Sequence, residues 1–192
     1  MSVSQPKQPQ SSQKARFFIA LLPPPDVQTY ATELKAYFRD RYDSKAALRS
    51  PPHITLQAPF EWLNADYGRL QSALANFTPK YASVPIHLSG FGAFPPRVIY
   101  LAVESTPELM ALQLDLSHYL AETLEIVDPR SRNRSFRPHL TIAFRDLKAT
   151  AFRQAWPEFE SREVQFTFSV QNLTLLMHTG QCWEVNMQFP MT

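Results

Sequence analysis

Two residue types are scarce in this chain of 192 residues: it holds 4 glycines and 1 cysteine. With Gly68, Gly90, Gly92 and Gly180 as the whole supply, neither a Gly-x-Gly-x-x-Gly turn nor a Gly-x4-Gly-Lys phosphate loop can be written. Dinucleotide oxidoreductases and ordinary P-loop nucleotide hydrolases are thereby excluded. The lone Cys182 excludes an intramolecular disulfide framework and a cysteine-based structural zinc site. An excess of one charge is missing too. Lys and Arg total 19 against 17 Asp and Glu, so affinity for a polyanion must come from local clusters rather than the global field. Neither His-Glu-x-x-His nor an Asp-rich calcium loop occurs, so no metal or other cofactor is expected.

Long apolar runs are also lacking. The longest early one, Phe17 to Leu22, is about a third of a membrane span and stops at Pro23-Pro24-Pro25, so no membrane partner is expected. Residues 1–14, rich in Ser, Gln, Pro and Lys, have almost nothing to bury and no apolar stretch of a secretory signal. They read as a disordered tail, and the expected location is the cytoplasm. No coiled-coil heptad or long sticky edge points to an oligomer, which favours a monomer.

What remains can build a core: 44% of residues are hydrophobic and 14 are Phe. Phe17 to Leu22 predicts a buried strand. Asp26 is placed to cap a helix whose apolar residues Val27, Tyr30, Ala31, Leu34, Tyr37 and Phe38 form one face. His53 to Ala58 alternates as a strand does, and Tyr67, Leu70, Leu74 and Phe77 make a second helical stripe. Val84 to Phe94 and Arg97 to Glu104 predict two strands reversing at Pro95-Pro96. Thr106, Pro107 and Glu108 open the strongest helix, with its stripe at Leu109, Leu112, Leu116, Leu120 and Leu124. A strand over Pro138 to Phe144, a short helix over Phe152 to Phe159, and strands Val164 to Val170, Leu173 to Met177 and Trp183 to Phe189 complete the chain. Eight strands and four helices in mixed order with short links make the class α+β.

The chemistry is carried by a repeat. Pro52-His53-Ile54-Thr55-Leu56 and Pro138-His139-Leu140-Thr141-Ile142 share the pattern Pro-His-apolar-Thr-apolar, 86 residues apart. Five histidines and 12 threonines scattered at random give about 0.3 His-x-Thr matches, and the added prolines and apolar residues make coincidence rarer still. An internal duplication explains the pair and predicts two lobes related by an approximate two-fold axis around a central cleft. On a strand, His53 and Thr55 share one face while Ile54 and Leu56 point to the other, into their own lobe's core, and the same holds for the second copy. Two imidazoles and two hydroxyls then line one cleft. Such a set suits in-line displacement at phosphorus: one neutral imidazole takes a proton from the nucleophile and one imidazolium gives a proton to the leaving group. The two hydroxyls donate to non-bridging phosphate oxygens.

At these motifs the chain resembles the 2H phosphoesterase superfamily, which includes bacterial 2′-5′ RNA ligase-like proteins and cyclic phosphodiesterases. The likeness is carried by Ser50 to Phe60, by Phe136 to Arg145 and, more loosely, by Gly92 to Leu101 in between; it spans roughly residues 16–190. It implies a bilobal α+β fold over residues 15–192, with two antiparallel sheets, outer helices and a central cleft. It implies opening of ribonucleotide 2′,3′-cyclic phosphates to 2′-phosphates, on RNA or on a nucleotide partner. The alternatives are 2′-5′ ligase or 2′-5′ phosphodiesterase activity, or a non-catalytic module that binds RNA ends. By motif position, His53, Thr55, His139 and Thr141 carry over as the catalytic set, with His139 as base and His53 as acid. Arg130, Arg132, Arg134 and Arg137 crowd the approach to the second motif and are candidates for gripping further phosphates. Arg97 is a further substrate-binding candidate, and Phe60 and Phe94 are candidates for stacking on a base. Cys182 is expected as a core thiol.

Overall fold

The computed structural model describes residues 13–129 and 135–192. The candidates Arg130, Arg132 and Arg134 lie outside the described residues. Eight strands, β1 (Lys14–Leu21), β2 (Ile54–Leu63), β3 (Val84–Phe94), β4 (Val98–Val103), β5 (His139–Ala143), β6 (Gln165–Val170), β7 (Asn172–His178) and β8 (Trp183–Pro190), are joined by four α-helices. These are α1 (Pro25–Tyr42), α2 (Tyr67–Phe77), α3 (Pro107–Leu124) and α4 (Ala149–Glu160). Among the described residues these are the strand and helix numbers the periodicity predicts, and the class is α+β.

The strands form one antiparallel sheet in the order β6-β3-β4-β5-β2-β1-β7-β8. It divides into two four-stranded halves, and the two sheets expected from the resemblance are these halves. They are continuous with each other through a single residue pair, Ile54 opposite Leu140. Each half repeats one plan about that junction. The inner strand carries a His-x-Thr motif, and its outer neighbour is connected to it by an 18-residue helix: β1-α1-β2 in one half, β4-α3-β5 in the other. Both helices have Pro as first residue and end on a left-handed residue, Asp43 or Glu125.

The helices cross between halves: α1 packs on β5, and α3 packs on β2. One apolar core therefore runs beneath both halves, from Phe17, Ile19 and Leu21 of β1 to Ile99 and Leu101 of β4. This corrects the expectation of a separate core for each lobe, because α1 and α3 each reach a strand of the partner half and join the two apolar layers into one. The continuous apolar run of β1 has a matching cause. Phe17, Ile19 and Leu21 face that core, while Phe18 and Ala20 meet Leu176 in a smaller cluster on the opposite, cleft face. A strand covered on both faces loses its alternation.

Helix starts follow local chemistry. The Thr106 hydroxyl accepts the Leu109 N–H at 3.3 Å, and all five leucines of the α3 stripe are buried. Asp26, expected as the cap of α1, lies instead in its first turn. Pro25 is the first helical residue, and the carbonyl of Pro24 accepts the Gln28 N–H at 2.9 Å. The fixed φ of proline favours that start, and Asp26 acts on the positive end of the helix dipole.

Candidate active site

The junction of the two halves is also the candidate site. In an antiparallel pair with Ile54 opposite Leu140, the next residues outward place His53 across from Thr141 and Thr55 across from His139. Ile54 and Leu140 are buried in the shared core, so all four polar side chains project from the other face. The repeat read as two facing strands is thus two adjacent strands of one sheet, with the approximate two-fold axis passing between them.

The two histidines are held alike. The Nδ1–H of His53 donates to the carbonyl of Pro51 at 2.7 Å, and that of His139 donates to the carbonyl of Arg137 at 2.7 Å. A carbonyl can only accept, which places the proton of each neutral ring on Nδ1 and leaves the Nε2 lone pair toward the cleft. Proline at the preceding position keeps residues 51 and 137 extended, which turns their carbonyls back toward the rings. Both rings are half-buried, and burial lowers both pKa values. His53 is pushed down to about 4, by burial first and then by the charges of Lys35 and His139, with the Pro51 carbonyl opposing. His139 is lowered by burial alone, against its Arg137 carbonyl.

Each ring rests on an aromatic residue from the neighbouring strand. Phe18 of β1 lies 4.7 Å from His53, centroid to centroid, and Tyr100 of β4 lies 5.2 Å from His139. Around His53 the packing extends to Trp183, edge-on to Phe18 at 4.8 Å. Around His139 it extends to Phe94, edge-on at 5.1 Å and itself 4.7 Å from Tyr100. Gly92 stands opposite Tyr100 in the β3–β4 ladder, and a Cβ there would overlap the tyrosine ring. Of the predicted substrate contacts, Phe94 is thus brought to the site. Phe60 is not: it stands opposite Phe17 and packs on the main core, away from His53, because residue 60 pairs across β1 with a core-facing position. Arg97 is exposed at the β3–β4 turn, and Arg137 reaches the site through its carbonyl, with its own side chain exposed.

Sequence reasoning missed Phe18, Tyr100 and Lys35. The two aromatics carry no motif of their own and become site residues only through strand pairing. Lys35 was readable: it falls at i+8 from Val27 and i+4 from Ala31, on the buried stripe of α1. Cys182, expected in the core, is half-buried in the β7–β8 turn, with its thiol 3.4 Å from the Glu184 carboxylate. Among the described residues no group of three or more His, Cys, Asp or Glu side chains gathers closely enough to hold a metal ion. Nor is any helix among them long and apolar enough to cross a membrane.

The model of the 2′-5′ RNA ligase superfamily matches residues 23–181, a stretch that contains both motifs. The chain belongs to this superfamily. A Geobacillus kaustophilus protein that carries a provisional phosphoesterase name is 32% identical over 164 residues, 84% of this chain and 87% of its own length. The fold recurs in solved structures. TT0787 of Thermus thermophilus superposes with a TM-score of 0.63 at 20% identity, covering 92% of this chain and 97% of its own. Escherichia coli LigT, crystallised with 3′-AMP, superposes with a TM-score of 0.63 at 18% identity, covering 94% and 99%. The 2H phosphoesterase likeness read from the two motifs is therefore a family relationship.

Proposed function

We propose that this member of the superfamily is a phosphoesterase that opens ribonucleotide 2′,3′-cyclic phosphates to 2′-phosphates, with protein side chains supplying both proton transfers. The observation that carries this reading is the matched pair of imidazoles, each with Nδ1 fixed on a backbone carbonyl and Nε2 without a hydrogen-bond partner among the described residues, flanked by two threonines across one strand junction. With the phosphorus over the axis, His139 Nε2 takes a proton from water as its oxygen attacks phosphorus, and the P–O3′ bond breaks on the opposite side. His53 gives the leaving O3′ its proton. Thr55 and Thr141 donate to the non-bridging oxygens as charge builds there. Replacing water by a 5′-hydroxyl runs the same geometry as 2′-5′ joining.

The depressed pKa values impose a condition on this scheme. A ring that titrates near 4 is neutral in the free protein at pH 7, so the acid must gain its proton as substrate binds. An anionic phosphate between the rings supplies the reason, because a nearby negative charge favours the imidazolium. The complexes of Escherichia coli LigT with 3′-AMP and with phosphate support a site for such groups in that protein.

The test is product analysis on a short RNA ending in a 2′,3′-cyclic phosphate, in excess chelator. Wild type is expected to yield the 2′-phosphate, and His53→Ala and His139→Ala are each expected to lose at least about 10²-fold. Turnover that survives both substitutions, or that stops with chelator, overturns the mechanism. Saturable binding without product, weakened by both substitutions, assigns a binding module instead.

A further inference from the structure

Beside the first motif lies a buried lysine. Lys35, in the middle of α1, is 2% exposed, and its Nζ donates to the carbonyl of Ser50 at 3.0 Å. Among the described residues no carboxylate pairs with it. Burial lowers its pKa to about 7. It lines an open pocket of about 230 Å³ together with Thr32, Arg49, Pro51, Pro52 and Trp183. Pro51 and Trp183 make this cavity a neighbour of the reacting centre. The Pro51 carbonyl holds His53, and Trp183 packs on Phe18, which packs on His53. Glu184 of β8, two residues past Cys182 of the lining, accepts from the Cys182 thiol at 3.4 Å.

The duplicated plan has no counterpart to this lysine. Lys35 is the eleventh residue of α1, and the eleventh residue of the equally long α3 is Ser117. The two-fold chemistry therefore does not require it. A full positive charge taken out of water is costly, and one carbonyl satisfies only one of its three N–H groups.

We propose that this cavity is a second anion subsite, which takes a phosphate group of the substrate other than the one that reacts, between Lys35 and Arg49. The ligand class is a phosphodiester next to a cyclic phosphate terminus, so the subsite distinguishes an RNA end from a mononucleotide. This rests on the function proposed above. An anion there balances the buried ammonium and restores the lysine toward its ordinary protonation.

Two arms test it. In the first, wild type and Lys35→Met are compared on a 2′,3′-cyclic mononucleotide and on a dinucleotide ending in a 2′,3′-cyclic phosphate. The ratio of kcat/KM, dinucleotide over mononucleotide, is expected to fall about tenfold or more in the variant, through KM. Equal losses on both substrates would mean that Lys35 only steadies the Ser50 loop, and would overturn the proposal, as would an unchanged ratio. The second arm needs no turnover. In the His53→Ala/His139→Ala double variant, inorganic phosphate is expected to raise the melting temperature, and adding Lys35→Met is expected to remove that rise. A rise that survives Lys35→Met, or no rise at all, overturns the subsite. If wild type opens neither cyclic substrate, the proposed function fails, and the second arm still decides the subsite.

Discussion

His53 and Lys35 are both ionisable groups held against their charge, and the pH response of the fold follows from them. In the unfolded chain a histidine titrates near ~6.5, whereas folded His53 titrates at about 4. As pH falls below ~6.5 the unfolded chain takes up a proton that the folded one refuses, so stability is lost between about 6.5 and 4, by up to roughly 3 kcal/mol. Urea unfolding of wild type against His53→Gln over that window measures it, and the variant is expected to show a shallower fall. Lys35 acts at the other end. Its folded pKa of about 7 lies below the ~10.4 of an unfolded lysine, so stability rises as pH climbs between the two. Lys35→Met is expected to flatten that slope in the same measurement. In the proposed scheme a bound phosphate raises the pKa of the acid, so in pH–rate profiles the high-pH limb of kcat is expected above that of kcat/KM. Thr174 offers a contrast: its buried hydroxyl has no hydrogen-bond partner among the described residues, and Thr174→Val is expected to be neutral or stabilising by about 1 kcal/mol in thermal unfolding.

Two links between elements keep the motif strands in place. The Asp146 carboxylate, just past β5, accepts from the Ser44 hydroxyl at 2.8 Å and from the Lys45 and Ala46 N–H groups at 2.9 Å each. It ties the exit of the second motif strand to the loop that follows α1 and leads to the first. Removing an ionised acceptor leaves those donors without it, so Asp146→Ala is expected to cost roughly 2–3 kcal/mol in denaturant unfolding. The second link is the close approach of Tyr100 to β3 over Gly92. Gly92→Ala has no room without displacing the tyrosine ring from beside His139, and is expected to lower kcat more than Tyr100→Phe does. Neither link was legible from periodicity. The helices and strands themselves were, because each carries its own apolar spacing, as the five leucines of α3 show. The partners of Asp146 sit about 100 residues away in the chain, and nothing local announces them.

At the scale of the whole molecule the single core has a direct consequence. β1 needs β7 from the far end of the chain, and α1 buries part of its stripe against β5 and α4 of the other half. A fragment of residues 13–80, though it holds the first motif with β1 and β2, lacks β5, β7 and α4 and is therefore expected to show no cooperative unfolding transition by circular dichroism. Pseudo-symmetry here lies in the placement of strands about the Ile54–Leu140 pair, not in two bodies that fold alone.

Sequence by itself determined the α+β class, the elements, the scarcity-based exclusions and the four residues of the two motifs, because alternation on a strand and repetition along the chain are local properties. Tertiary structure decided that the two motif strands are neighbours in one sheet, that carbonyls two residues upstream fix both imidazoles, and that Phe60 belongs to the core while Phe94 belongs to the site. It also decided that Lys35, on the buried stripe of α1, comes to lie beside the first motif. Each of these depends on which strand pairs with which and where the crossing helices bury their faces, and that is set by contacts between residues far apart in the chain.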